Sequence, residues 1–156
     1  MILAGTGHRP DKLGGYSSLI ARELQKLAEK ELFRLRPDMV IIGMAQGWDQ
    51  ALGWAAKAQH IPFRAYIPFV GQENVWPEEV QDRYRDLLSY ADQMVVCSPG
   101  GYSAAKMQTR NMRMVDDCTD VLALWDGTPG GTANCVSYAR FKKRVIHNCW
   151  DAWRNR

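Results

Sequence analysis

Several features that mark particular protein classes are missing from this 156-residue sequence. Its four cysteines are widely spaced and include no C-x-x-C pair, so we predict no structural zinc or other metal site. No apolar run approaches the roughly 20 residues of a membrane-spanning helix, and the opening residues reach glycine too early for a signal peptide. We therefore expect a cytoplasmic protein with free thiols and no membrane partner.

The sequence also lacks a strong charge of either sign. A formal net charge of +3 is too small to indicate nucleic-acid binding by itself. Four basic residues gather late in the chain, at Arg140, Lys142, Lys143 and Arg144. They suit the C-terminus of a helix, where cations complement the dipole, and a nucleic-acid backbone site is the weaker alternative. Length and composition indicate one globular domain over residues 1–156.

Apolar runs and amphipathic segments alternate along the chain. Strands are predicted over residues 2–4, 39–42, 63–67, 94–97 and 121–125, with an edge strand at 145–147. Helices are predicted over 16–35, 47–58, 77–90, 104–116 and 132–141, followed by a short tail. Strands that are apolar throughout are typical of a buried parallel sheet. The fold class is therefore α/β, a single Rossmann-like three-layer sandwich with a mainly parallel central sheet of five to six strands.

Five loops each follow a predicted strand, at residues 5–15, 43–49, 68–76, 98–103 and 126–132. In a parallel sheet the ends of the strands meet at one edge, and ligands bind there in open α/β folds. Residues far apart in sequence should therefore converge on one site.

The most informative of these loops is Asp126-Gly127-Thr128-Pro129-Gly130-Gly131-Thr132. Glycine lets a ligand approach the backbone closely, and the N-terminus of the following helix offers free N–H groups to an anion. Thr132 is expected to cap that helix and to donate its hydroxyl to a phosphate. The alternative is a tight turn between strand and helix that binds nothing.

The loop after the first strand contains Gly5, Thr6, Gly7, His8 and Arg9. It matches neither a Walker A loop nor the G-x-G-x-x-G fingerprint. The planar fork of Arg9 suits a phosphate, with a surface ion pair as the alternative. His8 is either a ligand for ribose or base, or a buried imidazole that is satisfied within the fold.

Two further elements complete the candidate site. Gly43 and Gly47 flank a loop that ends at Asp49, whose carboxylate either contacts ribose hydroxyls or stabilises a helix start. Arg110 and Asn111 lie on the helix before the fifth strand. An arginine there can clamp a phosphate with two parallel hydrogen bonds, although most helical arginines face water.

Taken in order, these motifs resemble the SLOG superfamily, and specifically its YpsA-like branch. The matching segments are Thr6–Pro10 with Leu13–Gly15, Gly43–Asp49, Ile67–Trp76, Arg110–Asp116 and Trp125–Asn134. The resemblance implies a Rossmann-like domain that binds a nucleotide-derived small molecule, requires no cofactor and includes Asn134 in the site. It also implies a homo-oligomer, for which Trp150 and Trp153 are candidate exposed contacts.

Relatives in that superfamily include DprA, which binds single-stranded DNA, and LOG-type enzymes, which cleave the N-glycosidic bond of nucleoside 5′-monophosphates. The LOG phosphate loop reads P-G-G-x-G-T-x-x-E, with the glutamate taken as catalytic. Aligned on Gly131-Thr132, that glutamate position holds Cys135, and no carboxylate follows within one helical turn. A cysteine cannot stabilise an oxocarbenium-like centre as a carboxylate does. The phosphate half of the site is retained and the hydrolytic half is lost.

Three hypotheses follow, with no catalytic residue assigned. The first is binding or sensing of a nucleotide-derived ligand (ADP-ribose-like, cyclic-nucleotide-like or mononucleotide) without LOG-type hydrolysis. The setting would be bacterial or phage nucleotide signalling, in the host cytoplasm if the protein is phage-encoded. The second is a nucleoside-phosphate N-glycosidase or phosphoribosyl-handling enzyme that uses Asp49, Glu73 or Asp126. The third is a DprA-like single-stranded nucleic-acid binder, supported locally only by the late basic cluster.

Overall fold

The computed structural model describes residues 1–156 as one sheet flanked by helices. The strands are β1 (Ile2–Gly7), β2 (Met39–Ile42), β3 (Phe63–Ile67), β4 (Gln93–Val96), β5 (Asp120–Leu124) and β6 (Val145–Asn148). The α-helices are α1 (Ser18–Leu35), α2 (Trp48–Ala58), α3 (Glu78–Ser89), α4 (Ala104–Asp116), α5 (Gly131–Phe141) and α6 (Trp150–Arg154). Two short 3₁₀ turns cover Pro10–Lys12 and Gln72–Val75.

All six strands are parallel, in the order β4-β3-β2-β1-β5-β6. The predicted Rossmann-like α/β class is confirmed, and the sheet is wholly rather than mainly parallel. The chain builds outward from β1 to β4, and α4 then returns it to β5 on the other side of β1. The order of the strands therefore reverses between β1 and β5, which leaves a crevice outside their carboxyl ends.

Alternating side chains divide the sheet between two cores. Leu3, Val40 and Ile42 point into the larger core, beneath α1, α2, α3 and α6. Ala4 and Ile41, their neighbours in sequence, point into the smaller core beneath α4 and α5. This is the period-two alternation of a strand that is buried on both faces.

Local signals set several helix ends. The Ser17 hydroxyl accepts a hydrogen bond from the Ile20 N–H and caps α1, and Ser103 does the same for α4. Arg36 ends α1 in a left-handed conformation immediately before Pro37, which cannot continue a helix.

The C-terminal segment differs from its prediction. The expected tail forms α6, and the expected exposed Trp153 is only 3% exposed because α6 folds back onto α1 and inserts this ring into the larger core. Trp150 is half-buried against the same core. Trp153 is therefore not the exposed contact that the sequence suggested, and Trp150 is only partly exposed. None of the helices has both the length and the apolar character needed to cross a membrane.

We expect Trp153→Ala to lower the free energy of unfolding by about 3–5 kcal/mol, because it empties a packed position in the core. Phe141→Ala is the matched control, since that ring is 78% exposed and its loss should cost less than about 0.5 kcal/mol. Urea unfolding of both variants measures the difference. Equal costs would mean that α6 does not pack as described.

Candidate functional site

A cavity of about 330 Å³ opens at the carboxyl ends of β1 and β5, where the strand order reverses. We call it the strand-end cavity. The predicted site residues that line it are Gly5, Thr6, Gly7, His8, Arg9, Asp49, Arg110, Asn111, Gly130, Gly131 and Thr132. The predicted residues that do not line it are Gly43, Gly47, Asp126, Gly127 and Asn134. The loops after β1, β2 and β5 thus meet α4 at one place, as parallel strands require, whereas the loops after β3 and β4 do not line this cavity.

Packing within the protein accounts for three of the predicted glycines. A Cβ on Gly7 would lie 2.5 Å from the Trp48 ring, and a Cβ on Gly43 would lie 2.5 Å from the Arg110 guanidinium. Gly47 has a φ of +91° beside the His8 carbonyl. A side chain at any of these positions would displace core or site atoms, so these glycines are needed by the fold itself.

Arg110 and Asn111 are largely buried residues that bring hydrogen-bond donors to the cavity wall. Arg110 is 5% exposed, and its guanidinium donates to the Gly43 carbonyl and through Nε to Asn111 Oδ1 at 2.8 Å. Because that bond fixes the oxygen end of the Asn111 amide, Nδ2 is the end left free. Neither Asn111 Nδ2 nor Arg110 Nη2 has a protein partner, although Asn111 is only 9% exposed. Both residues line the cavity, so these donors are available to a ligand.

Asp49 is the buried carboxyl of the site. Its Oδ2 accepts from the Ala45 N–H at 3.3 Å, and it makes no direct ion pair with Arg110. Burial raises the pKa of Asp49 from 3.8 to about 6, against the opposing attraction of the Arg110 charge. Burial likewise lowers the pKa of Arg110. The cavity therefore contains one carboxyl that titrates close to neutral pH.

His8 and Asp126 hold the glycine-rich loop in place. His8 Nε2 lies 2.8 Å from Asp126 Oδ1 and 3.0 Å from the Asp126 N–H. Nε2 carries either a hydrogen or a lone pair, so it cannot serve both contacts at once. The Asp126 carboxylate favours the form in which Nε2 carries the hydrogen and donates it. Asp126 also accepts hydrogen bonds from the hydroxyl and the N–H of Thr128. The Thr128 bonds and the contact with His8 together lower the pKa of Asp126 to about 2, despite some desolvation. Nε2 of His8, which also lines the cavity, is thus held by Asp126, and Asp126 acts on the cavity through Thr128.

The N-terminus of α5 forms the opposite wall. Gly130 precedes the helix with a φ of +145°, a conformation that strongly favours glycine. Gly131 has neither a positive φ nor any protein atom within 4 Å of a built Cβ, so nothing in the fold requires glycine there. The predicted Thr132 cap is wrong, because α5 begins one residue earlier and no side chain caps it. The Thr132 hydroxyl and the first helical N–H groups remain free at the cavity.

Sequence reasoning missed several lining residues, above all Lys12 and Thr128. The Lys12 ammonium donates to the Thr128 hydroxyl at 2.9 Å and so joins the two loops across the cavity. Both residues lie in loops that were expected to converge. A lysine in the first loop could therefore have been named from the sequence as a candidate for an anion site. Arg9 is exposed and has no side-chain partner, so it adds an unpaired cation at the rim.

Cys135, at the position of the LOG glutamate, is buried and does not line the cavity. Burial raises the pKa of its thiol to about 11, so it is neutral at physiological pH. It supplies no acid, base or anionic charge to the site.

The YpsA family model, described as the YspA SLOG family, matches residues 3–149. The chain belongs to this family. An uncharacterized SPbeta prophage-derived protein, YoqJ of Bacillus subtilis strain 168, is similar to this YpsA-family protein, with 34% identity over 126 residues. That match covers 70% of this chain and 73% of YoqJ.

Two solved structures of DNA processing protein A (DprA) share the fold of this YpsA-family protein. The Helicobacter pylori protein, described for its single-stranded DNA binding mode, has a TM-score of 0.65 and 13% identity over 94% of this chain. The Streptococcus pneumoniae protein has a TM-score of 0.64 and 18% identity over 92% of this chain. The present chain spans 63% and 48% of those two proteins, respectively.

We expect the two glycines of the YpsA-family site to respond differently to alanine. Gly43→Ala should lower the free energy of unfolding by about 1–3 kcal/mol, because its Cβ meets the Arg110 guanidinium. Gly131→Ala should leave stability unchanged or slightly higher, since its Cβ meets no protein atom. Thermal and urea unfolding measure both effects. A stable Gly43→Ala protein would contradict the described position of Arg110.

The raised pKa of Asp49 predicts a pH-dependent stability. Between an unfolded pKa of 3.8 and a folded pKa of about 6, the folded state binds more protons, so stability should fall as pH rises across that window. Relative to Asp49→Asn, the wild type should lose at most about 3 kcal/mol from pH 4 to pH 6 and little above it. Urea unfolding of both proteins at each pH tests this. A difference that stays constant or grows with pH would exclude it.

Proposed function

We propose that the strand-end cavity binds the phosphate-bearing part of a nucleotide-derived ligand. The observation that carries the proposal is the pair of largely buried side chains, Arg110 and Asn111, whose free donors line the cavity opposite the N-terminus of α5. These donor atoms are accessible at the cavity surface although their residues are largely buried, and a phosphate would satisfy them together with the helix N–H groups.

The charge around the cavity supports an anionic ligand. Arg9 has no partner, and Lys12 has a single hydroxyl partner, so both cations are available at the mouth. Gly131 leaves room for a ligand to approach the backbone at a position where the fold does not need glycine. Asp49, on the far side, is then the group that contacts sugar hydroxyls.

Binding without LOG-type hydrolysis is the favoured form of this function. The helix position that carries glutamate in LOG enzymes holds Cys135 here, which is buried and neutral and does not line the cavity. Oδ1 of Asp126 is held by His8 and Thr128, and Asp126 does not line the cavity. The prophage origin given for YoqJ fits a role in bacterial or phage nucleotide signalling, including sequestration of a signal inside the host cell.

A specific observation favours one second candidate, an N-glycosidase that acts on nucleoside phosphates. Asp49 lines the cavity, and its pKa of about 6 suits a group that donates or accepts a proton near neutral pH. In that reaction Asp49 would take the role that the LOG glutamate has in its own site.

Single-stranded nucleic acid is less well supported as a ligand, despite the likeness to DprA. Lys142 lies 3.6 Å from Asp116, and Arg144 donates to the backbone carbonyls of Val115 and Asp116. These cations are therefore engaged at the end of α4, near the edge where the strands begin. That is the opposite edge of the sheet from the strand-end cavity.

We expect isothermal titration calorimetry to detect binding of at least one of AMP, ADP, ADP-ribose and cyclic AMP. Arg9→Ala should weaken it about tenfold, because one charge-assisted hydrogen bond is lost, while the melting temperature stays unchanged. Arg22→Ala removes an exposed arginine from α1, outside the cavity, and should change nothing. No heat with any of the four compounds would refute the proposal.

The same incubations, examined for free base, separate the two candidates. Base release that Asp49→Asn abolishes would establish the N-glycosidase. Binding with no release over many hours would establish capture of the intact ligand.

A further inference from the structure

A second cavity of about 210 Å³ adjoins the strand-end cavity and differs from it in chemistry. Its walls are mostly apolar and aromatic, formed by Tyr16, Phe69, Val75, Trp76 and Tyr102. We call it the aromatic cavity. Phe69 and Tyr102 meet edge to face, with ring centroids 6.1 Å apart and an interplanar angle of 81°. Aromatic walls of this kind suit a flat, unsaturated ring.

The two cavities are neighbours. Arg9, Ala45 and Met107 line both of them, so a ligand that occupied both would lie across these side chains. Their volumes of about 330 and 210 Å³ together fall within the roughly 300–1,000 Å³ of typical ligand pockets. One half offers hydrogen-bond donors and cations, and the other offers aromatic surface. A nucleotide has the same division between its phosphate and its base.

The rim of the aromatic cavity is unusually open for apolar side chains. Tyr102 is 74% exposed, and Val75 stands still further out of the surface. Both sit beside rings that are buried or half-buried, at Phe69 and Trp76. A flat ring inserted here would cover part of this apolar surface, which favours its binding.

A buried amide gives the aromatic cavity a polar feature. Gln72 is 6% exposed, and its Nε2 donates to the Tyr84 hydroxyl at 3.1 Å. Its Oε1 has no protein partner, and the residue lines the aromatic cavity. An unpartnered carbonyl oxygen in this position accepts a hydrogen bond from a ligand and matches an exocyclic amino group on a base.

We infer that the aromatic cavity takes the base of the ligand whose phosphate occupies the strand-end cavity, and that it favours an amino-bearing base over uracil. The inference rests on the proposed function, since it extends the same site. It narrows the ligand class to nucleotides whose base packs face-on against one of the rings of Tyr102 and Phe69 and edge-on against the other, while Gln72 accepts from the amino group.

Four probes measured by calorimetry test each part of this inference. Ribose 5-phosphate carries the phosphate and sugar alone, AMP adds a purine, and CMP and UMP differ at the amino position of one ring. We expect AMP and CMP to bind about tenfold more tightly than ribose 5-phosphate, through stacking. UMP should bind several-fold more weakly than CMP, because the carbonyl oxygen that replaces the amino group of CMP cannot donate a hydrogen bond to Gln72.

Two variants locate the effect in the protein. Tyr102→Ala should remove most of the advantage of AMP over ribose 5-phosphate while leaving ribose 5-phosphate binding and the melting temperature unchanged. Because Tyr102 is largely exposed, its loss should not disturb folding. Phe141→Ala removes an equally exposed ring from the end of α5 and should affect neither probe.

The outcomes separate failure of this inference from failure of the proposed function. Binding of ribose 5-phosphate with no gain from any base, or an unchanged AMP affinity in Tyr102→Ala, would overturn the inference and leave the phosphate site standing. Equal affinities for CMP and UMP would overturn the role given to Gln72. Absence of binding by all four probes would overturn the inference, and the proposed function falls with it if ADP, ADP-ribose and cyclic AMP also give no heat.

Discussion

The guanidinium of Arg110 reaches from α4 to the carbonyl of Gly43 at the end of β2, and the rest of the site depends on this buried contact. A guanidinium taken out of water needs hydrogen-bond partners, and Gly43 and Asn111 supply them to Arg110. The nearby Asp49 carboxylate adds an opposite charge. The contact fixes the position of α4 against the strand ends. It also excludes any side chain at residue 43.

That constraint explains why the glycines of the site have two different roles. Gly43 and Gly7 are occupied positions, where Arg110 and the Trp48 ring fill the space that a side chain would need. Gly131 borders open space at the N-terminus of α5. The sequence shows glycine at all three positions and does not distinguish these two roles. Only the second kind leaves backbone accessible, so the proposed anion binding depends on the α5 end and on the free donors of Arg110 and Asn111.

The architecture and the position of the cavity were predictable because they follow from strand order. Apolar runs closed by glycine or proline fix the strands, and parallel pairing then brings their ends together. The sequence could not predict which of the individual side chains are buried or which distant residues they contact. Trp153 looked like an exposed tail residue because nothing local shows that α6 folds back, and the role of Asp126 depended on His8, more than a hundred residues away in sequence. Such contacts are set by tertiary packing rather than by local pattern.

The ionisable groups bear differently on the two functions proposed for the cavity, anion capture and bond cleavage. Phosphate binding needs donors, and these come from backbone and side chains that the β1–β5 reversal assembles in any case. Cleavage needs a carboxyl near the sugar, and α5 offers only a buried thiol there. The one carboxyl with a suitable pKa, Asp49, enters from α2 beside Arg110. The Arg110 charge opposes the burial that raises the pKa of Asp49, so the contact that builds the site also sets how readily this carboxyl would exchange a proton in the proposed N-glycosidase reaction.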